Sequence, residues 1–337
     1  MAFTTINKSS DYFNTKLYTG NSTARSITGV GFAPDFVWLK DRTRVEENCL
    51  WDIVRGATKN LISNRTNAES TEAGGLTAFG SDGFSLGSEA LTNYNNDEYA
   101  SWNWKANGAG SANTDGSISS TVSANTTSGF SIVKYTGTES LATVGHGLGM
   151  APKMILIKDL SYTRDWAVYH QAMGNTYGIY LNLTNAQGGG NSDFWGSTSP
   201  TSTVFTINTR NENNNNGSNY IAYCFADVQG FSKMGSYTGN GDSDGTFIFT
   251  GFKPSFIMFK STSTTGGWEI HDNKRDPFNV SSKRLFPNLS NAEATEDYVD
   301  FVSNGFKFRT NDANGNTNGV SYIYMAFAEA PLVGTNN

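Results

Sequence analysis

The sequence repeats itself three times, and this restricts its fold more than any other feature. Tyr18-Thr19-Gly20 returns as Tyr135-Thr136-Gly137 and as Tyr237-Thr238-Gly239. Downstream, Gly31-Phe32-Ala33-Pro34-Asp35-Phe36-Val37-Trp38-Leu39-Lys40 aligns with Gly149-Met150-Ala151-Pro152-Lys153-Met154-Ile155-Leu156-Ile157-Lys158 and with Gly251-Phe252-Lys253-Pro254-Ser255-Phe256-Ile257-Met258-Phe259-Lys260. A tryptophan follows each lysine (Trp51, Trp166, Trp268), and each unit closes on a tyrosine-led aromatic run beginning at Tyr99, Tyr220 or Tyr322. The distances from motif glycine to closing tyrosine are 68, 71 and 71 residues, too alike for chance. Solenoid and propeller repeats are about 20–50 residues long. Units of about 100 residues are instead long enough to hold their own cores.

The expected organisation is therefore repeat one over residues 1–107, a Gly/Ser/Asn-rich linker over 108–128, repeat two over 129–229 and repeat three over 230–337. Residues 108–128 have the composition of a flexible spacer. The second junction is tight, since Ala226-Asp227-Val228-Gln229 runs straight into Gly230-Phe231. Repeats two and three are thus expected to pack together more closely than one and two.

Local patterns read as strands. Phe36-Val37-Trp38-Leu39 and Met154-Ile155-Leu156-Ile157 are apolar on both alternating faces, as in a strand covered on both sides. Pro34, Pro152 and Pro254 stand at the strand entrance, where a missing N–H breaks no interior ladder. The closing run alternates bulky residues (Trp102 and Trp104; Tyr223 and Phe225; Met325 and Phe327) with smaller ones such as Ser101, Asn103, Ala222 and Cys224, so its bulky face should fill a sandwich core. Phe79 to Leu86 and Phe301 to Phe308 carry hairpin turns. Helix is expected only as single turns at 67–73 and 291–297. The fold class is all-β, three tandem β-sandwich domains of jelly-roll or lectin-like type.

Charge and composition exclude several functions. The net charge is −6 and charged residues are 16% of the chain, which disfavours binding to nucleic acid. No window is apolar enough for a membrane helix, and no secretory signal is visible. Two cysteines, Cys49 and Cys224, do not make a disulfide framework. Catalytic and cofactor motifs are missing: there is no G-x-S-x-G, Walker A, H-E-x-x-H or C-x-x-C. His146, His170 and His271 read as structural histidines. Asp97 with Glu98, and Glu293 with Glu296 and Asp297, have the density for a glycosidase pair but do not recur between repeats. Asn240 to Gly245 opens like a calcium loop, yet Gly251 stands where a bidentate Glu is required. The expectation is a protein without catalytic residues, cofactor or metal.

The better lead lies in three Asn-rich loops before the closing strands. Asn95, Asn96 and Asp97, then Asn213, Asn214 and Asn215, then Asp312, Asn314 and Asn316 are the candidate ligand-contact residues, because an amide both donates and accepts. Turn chemistry alone also explains such loops.

The full motif set resembles a domain of tailed bacteriophages, frequent in phages of marine bacteria such as cyanobacteria. It comprises Gly31 to Lys40, Trp51-Asp52-Ile53-Val54-Arg55-Gly56, Phe79 to Gly87 and Tyr99-Ala100-Ser101-Trp102-Asn103-Trp104-Lys105-Ala106, with Gly129 to Gly137 and Val144 to Leu148 in repeat two. Repeat three lacks the Arg-Gly element and the final lysine, and reads as a more distant member. The resemblance implies a virion structural protein (tail fibre, tail tip or capsid-surface knob) made in bacterial cytoplasm and contributing to host attachment. Its partners would be other virion proteins and a host surface glycan, with no nucleic acid and no membrane insertion. By analogy it is either a homotrimer or a monomer imitating threefold symmetry. Competing readings are a glycan-degrading tailspike and a carbohydrate-binding adhesin.

Overall fold

The computed structural model describes residues 4–190 and 192–331. Each repeat builds an inner antiparallel sheet in the order opening, closing, central and third strand. In repeat one these are Phe13–Thr19, Glu98–Trp104, Phe36–Asp41 and Asn48–Asp52. In repeat two they are Phe130–Thr136, Asn219–Phe225, Met154–Asp159 and Ala167–His170, and in repeat three Ser232–Thr238, Ser321–Ala328, Pro254–Ser261 and Trp268–Asp272. A second, outer sheet lies over each, of three, two and four strands in turn among the described residues, so the all-β sandwich expected from the sequence is what forms. The outer sheets are built on Arg25–Thr28 with Gly83–Leu86, Ala142–Gly145 with Val204–Ile207, and Phe247–Phe249 with Gly305–Phe308.

Inner and outer sheets enclose one apolar interior per repeat. In repeat one this holds Ile27, Val37, Leu39, Trp51, Phe84 and Tyr99. The opposite face of the inner sheet, which in an isolated sandwich would meet water, carries Phe13, Phe36, Trp38, Trp102 and Trp104. It is buried too, against Phe130, Leu156, Tyr223 and Phe225 of repeat two and Phe256, Met258, Met325 and Phe327 of repeat three. This explains strands that are apolar on both faces: every residue of Phe36–Asp41 and Met154–Asp159 is buried. At the junction Trp104, Phe225 and Phe327, which occupy the same register position, form a triangle with ring centroids 6.1, 5.8 and 6.3 Å apart.

Several expectations are corrected here. The face of each closing strand that was expected to fill the sandwich interior fills this shared core instead, and the interior receives the other face (Ala222 and Cys224 in repeat two, Tyr324 and Ala326 in repeat three), so the repeats are not self-sufficient. The 108–128 segment is not a free linker: Ser111–Asn113 and Ser120–Asn125 extend the inner sheet of repeat two, with Ser120–Asn125 paired along the opening strand from Tyr135 to Phe130. Its Gly and Ser content suits a strand whose partner supplies the bulk. Residues 67–73 and 291–297 do not form helical turns; Ser70–Thr71 and Ala294–Val302 are strands, and among the described residues the helical turns are Ala90–Asn93 and Asn211–Asn214, with 3-10 turns at Ser9–Asp11 and Gln171–Met173. All three pairs of repeats meet in this shared core.

Phe225→Ala removes one corner of the triangle and should cost about 3–5 kcal/mol, the range for aromatic truncation in a core. Because the core is common, hydrogen exchange should show amide protection falling in all three inner sheets. A loss confined to repeat two would contradict this account.

Candidate functional site

The Asn-rich loops are held by the strands they precede. Tyr99 accepts from Tyr94 N (2.8 Å) and donates to Ala90 O (3.0 Å); Tyr220 and Tyr322 do the same with Asn215 and Asn211, and with Thr317 and Ala313. A second tyrosine from the opening strand stacks on each: Tyr18 on Tyr99, Tyr135 on Tyr220, Tyr237 on Tyr322, at 5.0, 5.2 and 4.8 Å. Asn93, Asn214 and Asn316 are fully buried, and their Oδ1 atoms accept from Asn21 N, Thr138 N and Asn240 N. The glycine of each Tyr-Thr-Gly motif makes this approach feasible, because a Cβ on Gly20, Gly137 or Gly239 would lie 2.0–2.3 Å from a loop carbonyl.

Most of the candidate contact residues are therefore committed inward. Asn213 donates to Phe194 O, Asn214 to Ser140 O, and Asn316 to Thr310 O, Asp242 O and Asn240 Oδ1. Asp97 is buried against Arg44, which also lies over the Tyr94 ring. Asp312 accepts from Tyr298 Oη at 2.6 Å, Asn314 from Gly267 N, and Asn215 donates to Ser218. As contact residues Asn213, Asn214, Asn316 and Asp97 are corrected: all four are buried, and the Asn213 Nδ2 group, both polar atoms of Asn214 and Asn316 and the Asp97 carboxylate fasten the loop. Asn95 and Asn96 stay exposed, Asn96 with φ at +67°.

Most of the remaining polar candidates are also occupied, while Asp297 stands exposed. Glu98 and Glu293 bind Arg42, Glu293 also binds Arg275, and Glu296 binds Arg284. In the calcium-like loop Asp244 is claimed by Lys307 and Arg309, while Asp242 and Asn240 accept backbone N–H groups within the turn. Both cysteines are buried, and burial pushes the Cys49 thiol up to about 12. Repeat three encloses a polar cluster where the others are apolar. Arg284 holds Glu269 in a two-nitrogen contact, with His271 at 3.6 Å and Tyr298 at 3.3 Å from the carboxylate. Burial alone would raise the Glu269 pKa, but His271 and Arg284 hold it below the usual range.

The joints between repeats carry a design that the sequence reading missed. The motif lysines are completely buried, and burial lowers each pKa to about 8. Lys40 Nζ donates to Ser290 O of repeat three, Lys158 to Thr66 O of repeat one and Lys260 to Thr184 O of repeat two, at 3.1, 2.9 and 3.2 Å. Three residues beyond each acceptor, a backbone N–H returns the bond: Glu293 to Arg42 O, Glu69 to Leu160 O, Gln187 to Thr262 O. One contact is thus made three times in one rotational sense, the heterologous kind that closes a ring. The legible signal was a tetrapeptide: Thr66-Asn67-Ala68-Glu69, Thr184-Asn185-Ala186-Gln187 and Ser290-Asn291-Ala292-Glu293.

Two neighbouring positions follow the same rule. Trp166 and Trp268 donate through Nε1 to Ile62 O and Tyr180 O of the preceding repeat, both at 2.9 Å. The equivalent in repeat one is not Trp51 but Asn48, whose amide reaches Phe286 O and Leu289 O of repeat three. Next, Tyr223 Oη donates to Asp52 (2.8 Å) and Trp102 Nε1 to Asp272 (3.0 Å), while each aspartate also binds the arginine three residues on, Arg55 or Arg275. Repeat three therefore does have the arginine; it lacks only the glycine. Met325 has no proton to give, and the residue facing its strand is His170, bonded to Tyr324 O.

Asp52→Ala would strip the buried Arg55 of its nearest carboxylate, leaving only the more distant Glu69 at 3.4 Å, and a loss of about 3–5 kcal/mol is expected in chemical denaturation. Asn214→Ala should cost about 1–3 kcal/mol through the orphaned Thr138 N–H. Burial lowers the pKa of all three histidines, His170 to about 4. A depressed histidine means that the unfolded chain takes up protons first, so stability is complete above about pH 6.5 and is lost as pH falls toward 4. Thermal unfolding across that window should show this, with His170→Gln flattening part of the slope.

The sequence profile of a family described as a domain of unknown function (DUF7483) matches residues 8–331, a span that takes in all three repeats. The chain belongs to this family. No curated protein and no solved structure matches it.

Proposed function

We propose that this family member is a structural protein of a tailed-phage virion, a knob at the tail or capsid surface that contributes to host attachment. The observation that carries this reading is the ring of three repeats closed within one chain. A single chain with threefold pseudo-symmetry gives each repeat the same outward aspect and suits a mount on a symmetric particle. The motif resemblance to phage domains points the same way. So does the use of polar side chains: lysines, aspartates and loop asparagines are spent on holding the frame rather than gathered at a reaction centre. Within this reading the protein is non-enzymatic and monomeric, since the surface that would close a trimer of single repeats is already used internally.

Two measurements test it. Mass spectrometry of purified virions from the phage that encodes this chain should find it in stoichiometric amount, and its absence would end the proposal. Light scattering should give a species of about 36.5 kDa; a stable trimer would remove the monomer part.

A further inference from the structure

The three repeats treat one equivalent place differently, the gap between the start of the opening strand and the glycine loop entering the central strand. In repeat two it is filled by the added strand: a Cβ on Gly147 would lie 3.0 Å from Val122 and 3.3 Å from Ala124. In repeat one Asn14 donates across it to Val30 O, the Lys16 ammonium lies against Gly29, and the turn Ser9–Asp11 sets Ser10 O against Gly31. In repeat three the gap is open. It forms a cavity of about 710 Å³ walled by Phe249 and Phe252 and rimmed by Asp227, Gln229, Lys233 and Asn304.

The walls and rim differ in chemistry. Phe249 is 57% exposed, unusual for a phenylalanine, with Lys233 Nζ bonded to its carbonyl and 5.4 Å from its ring centroid. Asp227 uses one carboxylate oxygen on Met234 N. The volume falls in the range of small-ligand sites, about 300–1,000 Å³, which combine apolar walls with a few placed polar groups. A pyranose ring has this division of character: C–H groups on its faces suit an aromatic wall, and its hydroxyls, each donor and acceptor, suit a carboxylate, two amides and an ammonium.

We propose that the repeat-three cavity between Phe249, Phe252 and Asp227 binds a pyranose unit of a surface glycan, with Phe249 as the stacking wall and Asp227 and Asn304 as hydroxyl partners. This rests on the attachment reading and supplies its ligand class. Neither other repeat offers the site, so binding is one sugar per chain despite the threefold frame.

The test is saturation-transfer NMR on the full chain with methyl β-glucoside, methyl β-galactoside, N-acetylglucosamine and glucuronic acid at millimolar concentration. At least one should receive saturation on its ring C–H protons. Phe249→Ala, a change at an exposed side chain, should weaken it roughly tenfold or more, and Asn304→Ala should weaken it too. Phe247→Ala, on the same strand but outside the cavity, should leave it unchanged. The proposal is overturned if no sugar is saturated, if Phe249→Ala has no effect, or if benzyl alcohol enters the cavity while every sugar fails. Presence of the chain in virions without sugar binding would sink this inference alone.

Discussion

A buried ammonium group must be given oxygen atoms, and the way Lys40, Lys158 and Lys260 obtain them organises the molecule. Each finds one carbonyl within its own repeat, at Glu46, Arg164 or Ser261, and a second only on the neighbouring repeat. Removing a full charge from water costs several kcal/mol unless such partners are present. A repeat folded alone would therefore expose an aromatic sheet face and leave its lysine half-satisfied. Three repeats in a ring resolve both problems together, and two would leave one pair of surfaces open.

The ring also explains how the repeats diverge without losing register. Where a closing strand presents a donor, Trp102 or Tyr223, the preceding repeat in the ring presents a buried aspartate neutralised by an arginine. Where the strand presents Met325, aspartate and arginine are both gone and His170 and Met173 stand in their places. An aspartate facing methionine would retain its desolvation cost and lose one hydrogen bond. The neutral histidine, whose pKa burial drives down, bonds a backbone carbonyl instead. The substitutions are coupled through space across a joint.

Much of this was legible in the sequence. Repeat number, strand identity and the all-β class follow from periodicity and spacing, because each unit folds from local patterns of alternation and turn residues. The doubly apolar strand Phe36–Leu39 even signalled cover on both faces, though not that the second cover was another repeat. What escaped was information held between units. Trp51 aligns with Trp166 by eye, yet the ladder pairs Lys40 with Asn48 and Lys260 with Trp268, so the true equivalent differs in residue type while keeping an N–H donor. The tetrapeptide at 66, 184 and 290 consists of small polar residues that resemble any loop; its role lies in backbone atoms, which composition does not report. The loop asparagines misled for a related reason, since an amide that fastens a turn and one that greets a ligand are the same residue.

Conservation of the frame and variation at its edges follow from the same physics. Positions facing the axis are constrained three times over, by their own sandwich and by both neighbours, and substitutions there must be matched across a joint. The outer edge of each opening strand carries none of the three lysine joints and differs among the repeats, although in repeat three Met234 O accepts from Gln171 of repeat two. One edge has recruited an extra strand, one is covered by Asn14, Lys16 and a short turn, and one retains a gap beside Phe249. A closed threefold scaffold of this kind restricts novelty to its rim. The third rim position, with an aromatic wall left in water and polar groups gathered around it, is where such a scaffold has room to acquire a specific contact while its core stays fixed.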